Sequence, residues 1–323
     1  MTIRDMLPLV SDAEKKGFEI AFFSETSLTF RDAISSHSAF ALNTSKIKLG
    51  CTQVVRLRTP LVIAQTFATL DELSNRRIIL SLGACTNSHA RKHGLHPQNP
   101  AQVLREHTAV IRQYWKNAMG SVNFEGETIR VEGEGLGFGT MRQIPIWIAA
   151  TSNTGLKIAG EIGDGVLLNA TTSPEYVRNA VRIVQKAAKD AGRDCEKIEI
   201  AGIIVSAVSD NESEAVKSVR WELASKFAPL QVDFAIRPRL RVGEPCINEQ
   251  LIDNLLASYK QGGTEKLSQD IPDAVIHELT AVGTAMEVRK RIDTYRDMGI
   301  RLPIVRPANQ KVSRATLDAV APN

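Results

Sequence analysis

The chain has 323 residues, 43% of them apolar and 24% charged, with 40 basic side chains against 36 acidic ones. A net charge of only +4 implies no nucleic-acid partner, and no apolar run approaches membrane-spanning length. No signal-peptide core opens the chain, and Cys51, Cys85, Cys195 and Cys246 form no C-x-x-C pair, so a reducing, cytoplasmic setting is expected rather than disulfides or a zinc site.

Asp5 to Lys16 is predicted as the first helix, stopped by Gly17, and EIAFFS as the first strand. Ala33 to Asn43 forms a second helix, followed by the strand IKLGCTQVV. Thr59 is placed to cap the next helix, Pro60 suits its first turn, and Ile63, Phe67 and Leu70 make one apolar stripe. Ser74-Asn75 ends that helix, and IILSLG follows as a strand apolar on both faces, the mark of a parallel sheet covered by helices. Ala101 to Asn117 is a long helix, and SVNFEGETIRV reads as a hairpin turning near Glu125-Gly126.

Alternation resumes with IPIWIAA, a helix from Thr154 to Glu161, and DGVLLNA. Ser173-Pro174 starts another helix, with Val177, Val181 and Val184 on its apolar face and Gly192 at its end, and IEIAGIIVSAV follows as a strand. Residues 221–272 lack strand rhythm and read as a partly helical insertion. Thr284 and Glu287 then form a capping box, Gly299 stops the helix, and LPIV is the closing strand.

This gives seven core strands, at 19–24, 47–55, 78–83, 145–150, 164–169, 198–207 and 302–305, within a single domain spanning 1–323. Strand–helix alternation without a linker predicts an α/β chain of the (β/α)8 TIM-barrel type. A doubly wound sheet is the rival, but no G-x-G-x-x-G or G-x-x-x-x-G-K-[ST] turn occurs. A barrel needs eight strands, so the first is expected ahead of Met1. Seven strands alone would leave two open edges for a partner or loop to cover.

ATLDELSNRRIILSLGA, IPIWIAATSNTGLKIAGEIGDGVLLNATTSPE and AVGTAMEVRKRIDTYRDMGI resemble the bacterial luciferase-like flavin and deazaflavin oxidoreductases. Within that superfamily they look most like the archaeal methylenetetrahydromethanopterin reductases. The resemblance implies a barrel that binds coenzyme F420 or FMN at the C-terminal strand ends, passes hydride to a small substrate, and forms a homodimer. Where the family carries Asp-His after its second strand this chain has Glu25-Thr26, and where it carries Gly-Asp after its fourth it has Cys85-Thr86. The loop from Gly50 to Pro60 is one residue shorter than the family's, which holds a non-prolyl cis peptide behind the ring.

Several residues are candidates for that chemistry. Glu25 ends a strand, either as a proton donor or relay at the barrel mouth or as an ordinary salt-bridge acid. Thr52 and Gln53 would hydrogen-bond the ring edge, with Gln53 as a plain loop residue nearly as good a reading. Thr151, Ser152, Asn153 and Thr154 join a strand end to a helix start, where backbone N–H groups and hydroxyls suit a phosphate or make a plain N-cap. Asn169 and Thr171-Thr172 lie at the next strand end as further cofactor candidates. Arg56 and Arg58 would meet a phosphate or solvent, and the family's arginine at the position of Arg58 is structural. Arg237, Arg239 and Arg241 are either a grip on the acidic tail of the deazaflavin or, the better reading, a solvated run.

His89 and His93 are spaced i, i+4 without H-E-x-x-H or a third ligand, and His96 adds little, so no metal is expected. Cys51 and Cys85 read as small buried thiols or pocket flanks. Three functions remain open: an F420-dependent oxidoreductase, an FMN-dependent luciferase-like monooxygenase, and a cofactor-free ligand-binding or structural barrel.

Overall fold

The computed structural model describes residues 2–25, 31–140, 142–229 and 231–322, so Thr26 lies outside the described residues. Contacts divide the chain into two compact units, Met1–Ala149 with Glu161–Gly165, and Ala150–Gly160 with Val166–Asn323.

The first unit runs through α1 (Ile3–Lys15), β1 (Ile20–Ser24), α2 (Ala33–Asn43), β2 (Lys48–Val54), α3 (Pro60–Leu73), β3 (Ile78–Gly83), α4 (Asn87–Lys92), α5 (Pro100–Lys116), the hairpin β4 (Val122–Glu125) and β5 (Arg130–Glu134), and β6 (Ile146–Ala150). Thr59 caps α3 through the Val62 amide with Pro60 in the first turn, as the sequence requires. Strands β1, β2, β3 and β6 pair in that order, all parallel. Ser24, Thr52, Ser81 and Trp147 are register partners and form one row on one face. On the other face the Phe23 ring meets His37 and Phe40 of α2 edge-on, so the helices cover that side. No peptide bond among the described residues is cis.

The second unit takes α6 (Asn153–Ile162) up to Gly160, β7 (Gly165–Leu168) from Val166, α7 (Pro174–Asp190) and β8 (Glu199–Val208). They are followed by α8 (Glu212–Phe227), α9 (Val232–Ala235), α10 (Arg237–Leu240), α11 (Glu249–Asp270) and α12 (Asp273–Leu279). β9 (Ala281–Gly283), α13 (Ala285–Asp297), β10 (Leu302–Pro307) and α14 (Gln310–Val320) close the chain. The segment 221–272 contains no strand among the described residues. Phe227, Ile252, Leu255, Leu267 and Ile271 give it an apolar core. Gly262 and Gly263 break α11, with Gly263 at φ 64°.

Among the described residues the main sheet has eight strands, not the seven expected. Ala281–Gly283 pairs in parallel with Ser206–Val208 at the end of β8, whose earlier residues pair with β10. Three residues are too few to carry a period-two signal, and the capping box after them draws attention to the helix instead.

Gly160 marks where α6 meets α7. A Cβ there would lie 2.3 Å from the Val184 carbonyl oxygen and 2.9 Å from the Ala188 amide nitrogen, both backbone atoms that cannot swing aside. Gly160→Ala is expected to cost about 2–3 kcal/mol through overpacking. A urea midpoint unchanged from the parent would show that the two helices can slide apart freely.

Candidate active site

In the first unit Glu25 follows β1 directly, and its amide donates to the Thr52 carbonyl at 3.0 Å. Arg58 Nη2 lies 3.4 Å from Glu25 Oε1 and 2.8 Å from Asp32 Oδ1. Asp32 caps α2 by accepting the Ser35 amide at 2.7 Å. Burial works to raise the Asp32 pKa, but the bonds from Ser35 and the nearby Arg58 charge prevail and hold it below the ordinary carboxylate value. Arg58 therefore ties the entry of α3 to the start of α2 and to Glu25.

The row beside Glu25 is polar. Ser24 Oγ donates to Thr52 Oγ1 at 3.4 Å. Ser81, the next member, is fully buried, and its hydroxyl has no partner among the described residues. An orphaned buried hydroxyl costs about 1–3 kcal/mol, so this row is under-satisfied as it stands.

Gln53 alternates to the helix-covered face. Its Nε2 donates to Cys51 Sγ at 3.4 Å and to the Thr52 carbonyl at 3.2 Å, and 1% of the residue is exposed. Of the two neighbours, only Thr52 shares a face with Ser24 and Ser81. Cys51 and Cys85 are both buried, which pushes both thiol pKa values up. Neither behaves as a reactive thiolate.

The loop after β2 is strained at Arg56, whose φ is 74°. The Arg56 amide donates to His107 Nε2 at 3.3 Å, and its Nη2 donates to the His96 carbonyl at 2.6 Å. Arg56 is thus engaged with protein groups. His89 and His93 place their ring centroids 4.6 Å apart, and no group of three or more potential ligands forms among the described residues.

In the second unit Ser152 caps α6, its Oγ accepting the Gly155 amide at 3.1 Å, and Tyr176 donates to the Thr151 carbonyl at 2.9 Å. Asn153 and Thr154 are exposed in the first turn, while Thr151 and Ser152 are half-buried. The plain-cap role of Ser152 is real, and it leaves the side chains of Asn153 and Thr154 and the helix N-terminus open to an anion.

Asn169 Oδ1 accepts the Ala170 amide at 2.9 Å and starts a loop held from three directions. Arg239 donates to the Thr171 carbonyl, and through Nη2 to the Ala170 carbonyl at 2.9 Å. Glu244 Oε2 accepts the Ser173 amide at 3.2 Å, and Tyr295 donates to the Thr172 carbonyl at 2.5 Å. Within this clamp Thr171 sits at φ 63°, an outlier for a β-branched residue.

The reading of the arginine run as a solvated face is corrected for its middle member. Arg239 is fully buried, whereas Arg241 is exposed and Arg237 pairs with Asp233 and Glu249. The available signal was Ile236 and Val242, three residues to either side and both buried. Helical spacing puts Arg239 on their side. Burial is also the main force raising the Glu244 pKa, against the pull of Ser173 and Arg239.

Strand–helix repetition with parallel pairing in the main sheet defines an α/β chain of the TIM-barrel type. The chain belongs to the luciferase-like monooxygenase family, whose description matches residues 1–302. It is 27% identical over 290 residues to a 5,10-methylenetetrahydromethanopterin reductase of Methanolobus tindarius, covering 89% of this chain and 85% of that protein. Among solved structures it resembles the coenzyme F420 dependent tetrahydromethanopterin reductase from Methanopyrus kandleri, with a TM-score of 0.82, 24% identity, and coverage of 99% of this chain and 95% of that one. An F420-dependent secondary alcohol dehydrogenase in complex with an F420-acetone adduct gives a TM-score of 0.80 at 20% identity, covering 100% of this chain and 94% of that one. The fold is therefore the luciferase-like TIM-barrel type. No helix among the described residues is long and apolar enough to cross a membrane.

Proposed function

We propose that the chain is an oxidoreductase that uses coenzyme F420 to move a hydride to or from a small organic substrate. The observation that carries this reading is the likeness, over 89% of the chain, to a methylenetetrahydromethanopterin reductase. Each unit by itself offers groups that suit a part of such a cofactor. The unpartnered Ser81 hydroxyl and the Ser24–Thr52 pair offer hydrogen bonds to the polar edge of a flat ring. The first turn of α6, with Thr151, Ser152, Asn153 and Thr154, suits a phosphate, and Asn169 belongs with it in the second unit. Gln53 is left out of this reading because its side chain is packed on the helix side.

The deazaflavin supplies the hydride chemistry when bound. Thr52 and Ser81 would orient the ring edge. Glu25 would take up or release a proton at the carboxylate oxygen that Arg58 does not hold, while Arg58 fixes the other. Four unpaired thiols fit a reducing, cytoplasmic setting, and a homodimer is part of the same reading.

Titration of the purified protein with F420 and, separately, with FMN tests the assignment. F420 is expected to bind with a change in its fluorescence, and Glu25→Gln is expected to lower kcat about 100-fold while leaving F420 affinity within about threefold. An unchanged kcat would remove Glu25 from the mechanism. Membership of a family described as monooxygenases favours FMN as the second reading. Tight FMN binding without F420 binding would select it, and binding of neither by a folded sample would promote the cofactor-free barrel.

A further inference from the structure

His107 sits on α5 with 4% of its surface exposed, and its two ring nitrogens face different partners. Nδ1 lies 2.9 Å from the Val103 carbonyl, which can only accept, so Nδ1 carries the proton. Nε2 then has a free lone pair, and it faces the amide of Arg56 at 3.3 Å. The ring is thereby fixed in one neutral tautomer. Its one accepted bond goes to the residue at which the chain turns into the left-handed region after β2.

From that turn the chain runs two residues to Arg58, whose guanidinium reaches Glu25 and Asp32. Arg56 adds a second tie through the His96 carbonyl at 2.6 Å. A left-handed arginine costs about 1–3 kcal/mol and persists only where its surroundings over-determine it. His107 supplies part of that determination from a helix about fifty residues away in sequence, in the same unit as Glu25.

We infer that His107 is a positioning residue: by accepting the Arg56 amide it holds the loop after β2 in the left-handed turn that sets Arg58 against Glu25. The loop geometry itself does not depend on the proposed function. The consequence for catalysis rests on that reading of Glu25. Burial of the ring, which keeps it neutral down to about pH 4 despite the Val103 bond, agrees with an acceptor role. The charges that act on it are Arg56, which lowers its pKa, and Glu106, which raises it.

The test uses the full chain without cofactor, reading amide hydrogen exchange at Arg56 against Ile63 within α3. His107→Leu is expected to speed Arg56 exchange by about tenfold relative to Ile63. His107→Gln, whose side-chain carbonyl can still accept, should stay within about threefold of the parent. Arg56→Gly removes the conformational cost, so adding His107→Leu to Arg56→Gly should have less effect on kcat and on F420 affinity than His107→Leu alone. Unchanged Arg56 exchange in a folded His107→Leu protein overturns the inference. If that variant fails to fold, equal acceleration by His107→Gln overturns it instead. If the parent binds no F420 yet Arg56 exchange responds as expected, the functional reading falls and the latch stands.

Discussion

Arg239→Met should destabilise the protein by about 3 kcal/mol, and the same change at Arg237, two residues away, by less than about 1 kcal/mol. Met fills much of the buried volume but leaves the carbonyls of Ala170 and Thr171 facing apolar atoms, and it removes the buried cation nearest to Glu244. Arg237, by contrast, holds exposed partners in Asp233 and Glu249, where water replaces a lost ion pair at little cost. Arg239→Lys keeps the charge but cannot span two carbonyls with a fork, so it should fall between the two. A 3 kcal/mol loss corresponds to a drop of about 4 °C in Tm for a chain of this size. Calorimetric melts of the three variants decide it. Equal Tm values for the Arg239 and Arg237 variants would mean that the clamp contributes nothing.

That clamp also shows where sequence reading stops. The α/β repeat was legible because helix caps and apolar runs are local signals. Ala33–Asn43 and Ile78–Gly83 fall on their predicted residues, and Thr284 with Glu287 makes the expected capping box. What escaped depends on distant pieces of chain meeting. Arg239 looked like one member of a charge run because its carbonyl partners lie about seventy residues earlier. His107 carries no local signal inside an amphipathic helix, because its partner lies about fifty residues earlier. Thr52 and Gln53 are neighbours in sequence, yet adjacent strand residues point to opposite faces, and only Thr52 shares a row with Ser24 and Ser81. Ser81 carried no motif at all. Its interest arises from burial without a partner.

Acid should unfold the protein in two separable stages. Burial outweighs the Val103 bond and lowers the His107 pKa to about 4, while an exposed histidine in the unfolded chain titrates near about 6.5. Between those values the unfolded chain binds a proton that the folded chain refuses. Stability is therefore complete above about pH 6.5 and falls by up to about 3 kcal/mol as the pH drops to about 4. His37 is fully buried between the carbonyls of Ala33 and Gly50, which a neutral ring can satisfy only one at a time; burial lowers its pKa while both carbonyls pull it up, so the upper limb rests on His107 alone.

Glu106 behaves oppositely. Burial works to raise its pKa, but bonds from Thr128, Gln102 and the Glu127 amide outweigh burial and hold it at about 2. Its contribution is present above about pH 4.3, the unfolded value, and is lost as the pH falls toward 2. Urea unfolding at pH 7.5, 5.5, 4 and 3, run on the parent, His107→Gln and Glu106→Gln, separates the stages (a few M of urea spans the transition). His107→Gln should flatten the upper limb and leave the lower one. Glu106→Gln should already be weakened at pH 7.5, because its amide turns donors toward the hairpin amides, and it should lose little more below pH 4. An upper limb of unchanged slope in His107→Gln would assign that proton to another group and return the acid response of the Arg56 turn to the carboxylates around it.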